Sequence, residues 1–189
     1  MQRLPFNEVK TTQAASRFLE LAGGKLNYMV LIKLLYLLDR ASLLKWGRTV
    51  TFDEYYSMKH GPVLSEVLSL ITEMTPPFER GYWAEHISAP SDWSVTLRTK
   101  AGDDALSESE DELIQSVFEE HWRYFAEDSF VFVKFLHDNL PEWTETESGR
   151  VPLLHRDILA AGHKSDAEIS AVEEELDSLA ADYRALLVR

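Results

Sequence analysis

The stretch from Tyr28 to Trp46, YMVLIKLLYLLDRASLLKW, is apolar on nearly every side of the helix its spacing predicts. From Leu31 on, only Lys33, Asp39, Arg40, Ser42 and Lys45 interrupt it. Such a helix has no face to give to water, so the rest of the chain must enclose it. Asn27 offers a capping side chain at its start, and Gly47 a residue that takes the left-handed turn at its end. Lys33 and Arg40 stand seven apart and share one narrow face. Cations on a buried helix must be paired or must reach water. Asp39 or Arg40 therefore either bridges to a neighbouring helix or, with Lys33, forms a patch that meets a partner.

At 189 residues the chain suits one domain with a substantial core. Five tryptophans and 45% hydrophobic residues speak for a folded protein rather than a disordered one. No run of eighteen apolar residues is present, so no membrane span is expected. MQRLPFNEVK lacks the apolar core of an export signal. There are no cysteines, which removes disulfides and thiolate chemistry and is compatible with the cytoplasm, the expected location. The charge is lopsided. Residues 1–102 hold 12 Lys/Arg against 10 Asp/Glu, a balance of +2, whereas residues 103–189 hold 7 against 22, a balance of −15. A field of that sign repels phosphate backbones, so no nucleic-acid partner is expected. It either keeps the protein soluble or steers a basic protein partner.

Along the chain, Asn7 can cap a first helix whose Ala14, Ala15, Phe18, Leu19 and Ala22 follow helical spacing. Gly23-Gly24 ends it. After the central helix, Tyr55–Met58 suits a short strand. His60-Gly61-Pro62-Val63 then predicts a helix start, running 62–74 and stopped by Pro76-Pro77; its free N–H groups would suit a carboxylate or phosphate. Tyr82–Ser88 and Trp93–Arg98 predict a hairpin turning at 89–92 that pairs or packs with the 54–58 strand. An acidic helix opens at Ser107 or Ser109 and runs to about Tyr124, a buried one spans Phe130–Leu140, residues 142–150 read as an exposed loop, and a short helix spans 153–161. The last helix opens with a capping box, Ser165 and Glu168. Its Ile169, Val172, Leu176, Leu179, Tyr183 and Leu186 stand 3, 4, 3, 4 and 3 apart. This seam over 165–188 either packs back onto the domain or forms a homodimer or partner-binding surface. The fold class is α+β, mainly helical, with a small antiparallel sheet, in a single domain over 1–189.

Chemistry-bearing patterns are missing. No GxSxG, P-loop, GxGxxG or HExxH occurs, and the histidines lack metal-ligand spacing. His137 on an apolar helix reads as a satisfied core residue. No catalytic residue, metal or cofactor is assigned.

In order, Lys33-Leu34-Leu35-Tyr36, Asp39-Arg40, Leu44-Lys45-x-Gly47-Arg48 and His60-Gly61-Pro62-Val63 resemble the Panacea domain of SocA-like antitoxins, from bacterial and phage toxin–antitoxin systems. The acidic helix at 108–121, Phe135-Leu136-His137 and Pro141-Glu142-Trp143 extend the resemblance over roughly residues 10 to 160. The resemblance implies no enzyme. It implies a protein that binds and neutralises a cognate toxin encoded next door, or an adaptor that hands the toxin to a AAA+ protease. The partner read for the last helix would then be the toxin. A hydrolase or nucleotide-processing enzyme built on His60 or His137 is the reading from another class. The residues expected to meet the partner are Lys33, Tyr36, Asp39, Arg40, His60, Trp143, Leu176, Leu179, Tyr183 and Leu186.

Overall fold

The computed structural model describes residues 4–73 and 81–187. It is mainly helical with two small antiparallel sheets, and everything is arranged around the central helix. Helix α1 (Glu8–Leu21) starts where the Asn7 side chain accepts from the Lys10 N–H. Strand β1 (Lys25–Asn27) leads into α2 (Tyr28–Trp46), whose N-terminus is capped by Asn27 and whose C-terminus ends at Gly47 with φ 71°. Both ends of α2 thus lie where its local signals place them. Helix α2 contacts α1, α3, α5, α6, α7 and strand β3, and Leu31, Leu34, Leu35 and Leu38 are wholly enclosed. Fully burying one leucine contributes about 1.5–3 kcal/mol, so this helix is the centre of the core.

Strand β2 (Tyr55–Met58) forms on the predicted residues. The next segment departs from expectation. Gly61–Leu64 is strand β3, paired to β2 from Met58↔Gly61 to Tyr55↔Leu64, and helix α3 spans Ser65–Thr72. The expected helix start at Pro62 is corrected: Gly61, at φ 97°, closes a two-residue reversal at Lys59-His60. Proline is tolerated in β3 because that strand is an edge, in the order β3-β2-β5, where a missing N–H costs no ladder bond. The helix-stopping role read for Pro76-Pro77 lies outside the described residues.

The expected hairpin is corrected too. Tyr82–His86 is a short helix, α4, and strand β4 (Ser94–Thr96) pairs with β1, not with β2. The two arms still meet antiparallel, through the isolated bridge Ile87↔Leu97 and the hydrogen bonds from the Ser88 N–H to the Thr96 carbonyl and from the Arg98 N–H to the His86 carbonyl, but the first arm forms no strand of its own. The chain reverses at Asp92-Trp93, both with positive φ. Helix α5 (Glu108–Phe125) opens with a complete capping box between Ser107 and Glu110, and α6 (Ser129–Asn139) is capped by Asp128. Val151–Leu153 forms strand β5 on the other edge of β2, ahead of α7 (His155–Ala161). Helix α8 (Asp166–Leu187) closes the chain, with Ser165 and Glu168 exchanging the capping hydrogen bonds predicted for them. Among the described residues no helix is long and apolar enough to cross a membrane.

Candidate functional site

Lys33, Tyr36, Asp39 and Ser42 of α2 are buried, Arg40 is half-buried, and Lys45 alone of its charged residues is exposed. Asp39 is fully buried and accepts from the N–H of Val50 (2.7 Å) and Thr51 (3.0 Å), from the Tyr55 hydroxyl (2.9 Å) and from the Thr51 hydroxyl. Burial pushes its carboxyl above the ordinary range, against the pull of those donors. The Thr51 hydroxyl also accepts from the Asp53 N–H. Asp53 in turn takes the N–H groups of Glu66 and Val67 (2.9 and 3.0 Å), which are the orphan donors of α3,. The free helix terminus expected beside His60 is thus at Ser65, filled by a carboxylate of this chain. Burial pushes Asp53 up to about 6.

One turn along α2, Tyr36 donates to Glu142 (2.8 Å) and Arg40 pairs with the same carboxylate (2.6 Å). The Glu142 side chain has no exposure. Residue 142 therefore belongs to the core, not to an exposed loop. The expected ion pair from Arg40 exists, but it reaches the segment after α6 instead of a helix. Asp39 makes a hydrogen-bonded clamp on the loop after α2 where a bridge to another helix was read as one option.

Lys33, only 2% exposed, donates to the Pro62 carbonyl (2.7 Å). Burial lowers its ammonium to about 7. His137 lies flat against Trp143, ring centres 3.8 Å apart, while the Trp143 indole donates to the Met58 carbonyl (3.0 Å). The Nε2 of His137 is buried without a hydrogen-bond partner among the described residues, so it is not the satisfied core histidine expected. Burial first, then the positive charge of Lys33, lowers its pKa. A Cβ placed on Gly61 would stand 3.2 Å from Lys33 Cε and 3.8 Å from His137 Nε2. The joint is filled by packing. His60 stands exposed beside it, its ring edge against Phe130 at 6.0 Å.

The fold thus gathers Lys33, His60 and Trp143 around one turn, and Tyr36 and Arg40 around Glu142. Lys33, Tyr36 and Asp39 are buried and do not reach the surface where a partner arrives. The α8 seam is elsewhere and divides. Ile169, Leu176 and Ala180 are buried and Val172 packs beside Gly47. Leu179, Tyr183 and Leu186 are 40%, 41% and 71% exposed. A straight α-helix drifts about 20° per heptad against a strict seven-residue repeat. The packed face therefore passes to Ala180, and the later seam positions turn outward.

Beside Leu176 lies a cleft of about 70 Å³, lined also by Leu4, Phe52, Tyr56, Pro152 and Leu154. Phe52 holds φ 57°, a conformation that costs a bulky residue about 1–3 kcal/mol. Neither Phe52 nor Glu142 was legible as a site residue, because their partners are set by chain pairing rather than by neighbours in sequence. Among the described residues, no group of three or more His, Asp or Glu is placed to hold a metal ion.

Residues 31–144, more than half of the chain, match the model of the family described as Antitoxin SocA-like, Panacea domain. No curated protein and no solved structure matches the chain.

Proposed function

The chain belongs to the SocA-like antitoxin family of Panacea domains, and from that premise we propose that it neutralises a cognate protein toxin by stoichiometric binding, without turnover. One observation carries the reading. Lys33, Tyr36, Asp39 and Glu142, motif residues that mark the family, are spent on internal packing, while exposed apolar side chains stand on α8 among exposed acids. Lys33, Asp39 and Tyr36 are satisfied from within, which leaves them to build the scaffold. His60, Trp143 and the outer residues of α8 are the members of the expected set that a partner reaches. An interface of standard size, about 1,600 Å² in total, supports tight binding of this kind.

The test is co-expression with the product of the flanking open reading frame. That product alone should arrest growth, the pair should restore it, and the two proteins should co-elute from a sizing column. A harmless neighbour, or a toxic one that elutes separately and is not rescued, removes the proposal.

A further inference from the structure

We infer that the outer edge of α8, together with the adjoining cleft, is the docking surface for an apolar-faced segment of the toxin flanked by lysine or arginine. This deepens the function proposed above and rests on it. Three observations converge. The first is apolar exposure in register: Leu179, Tyr183 and Leu186 succeed one another at helical spacing on one edge of α8, and Leu176, one turn earlier, lines the cleft. A helix laid along that edge could place one apolar side chain in the cleft, the arrangement by which amphipathic segments are held in grooves.

The second is a strained residue held at the same place. Phe52 lines the cleft at φ 57°. It is kept there because both flanking stretches are clamped, on one side by Asp39 and on the other by Asp53. Strain of this kind persists only where the surroundings over-determine it, and it clusters at ligand clamps.

The third is charge, which selects the occupant. Helix α8 carries seven Asp/Glu and one Arg. Glu175 and Asp182, both exposed, stand one turn from Leu179 and Leu186 along the same edge. A second copy of this chain would bring like charges against them, which is destabilising at close range. A basic partner would gain both attraction and a faster encounter. The surface also lies beyond residue 144, outside the part of the chain that the family model matches.

The experiment measures binding of the full chain to the purified product of the flanking open reading frame. Leu179→Glu with Tyr183→Glu should raise Kd at least 100-fold. Glu175→Lys with Asp182→Lys should raise it at least tenfold, mostly through a slower association rate. Glu108→Lys with Glu112→Lys, on the exposed face of α5, changes net charge equally and should leave Kd within threefold. All six side chains are exposed, and melting curves like the wild type's will show that the fold is kept. If the wild type binds and both α8 pairs bind within threefold of it, the docking surface is elsewhere and the antitoxin reading stands. A control pair as weak as Glu175→Lys with Asp182→Lys also overturns the inference. So does a wild-type homodimer that the Leu179→Glu, Tyr183→Glu pair dissolves. A wild-type chain that does not bind at all sinks the antitoxin reading, and this inference with it.

Discussion

Helices α2 and α8 are the two longest of the described chain, and they use their side chains in opposite ways. Helix α2 is enclosed on every side from Val30 to Asp39, and Lys33, Tyr36 and Asp39 there are tied to partners on later segments. Helix α8 buries the first half of its seam and leaves the second half open beside exposed acids. The contrast separates two meanings of a polar or apolar residue in an unusual place. A buried polar group with all its partners inside the protein is there for the fold. An exposed apolar row along a helix edge points outward.

Breaking the α2 side should have the largest effect. Asp39→Ala strands the N–H groups of Val50 and Thr51 and the Tyr55 hydroxyl in the core. Each buried donor left unmade costs about 1–3 kcal/mol, so the loss should be about 4 kcal/mol in urea unfolding. A loss under 1 kcal/mol would show that the loop after α2 does not need its clamp.

The next effect is a pH slope. In the folded chain Lys33 titrates near 7, against an ordinary 10.4 in the unfolded chain. Between those values the unfolded state holds the proton and the folded state does not, so stability rises with pH. The cost of burying this cation is fully present below pH 7 and fades toward pH 10, a gain of about 3 kcal/mol over that window at 1.36 kcal/mol per unit. Lys33→Met should flatten this rise in unfolding curves taken at pH 7 and pH 10. A slope unchanged by the substitution would place the titration elsewhere.

A smaller effect is expected at Gly61, where a side chain meets both an unfavourable φ and Lys33 Cε at 3.2 Å. Gly61→Ala should cost about 1–2 kcal/mol, read from the unfolding midpoint. The smallest belongs to α8. Leu186→Ala should change the stability of the isolated chain by no more than about 0.5 kcal/mol. A loss above 2 kcal/mol would mean that this residue packs in the core, and the comparison would fail.

The sequence was most informative where the controlling interaction is short-range. Asn7, Asn27, Gly47 and the pairs Ser107–Glu110 and Ser165–Glu168 act across at most three or four residues, and they end or begin helices where expected. Gly61-Pro62 misled because glycine then proline fits a helix start and an edge strand equally well. Pairing to Ser57 and capping of α3 by Asp53, 13 and 14 residues before the donors, decide between them. Glu142 reads as exposed because it is charged and stands near the start of the polar stretch 144–150, while its partners lie 102 and 106 residues away on α2. The division of the α8 seam was not readable either, since only the drift of a real helix against the packed body shows where burial stops.

The central claim is that this protein acts by occupying another protein. The direct measurement is residual activity of the purified toxin titrated with this chain. The account predicts a linear fall that reaches zero at a fixed molar ratio and stays there with time. Complete inhibition by a small fraction of that ratio, growing with incubation, would reveal turnover and contradict it.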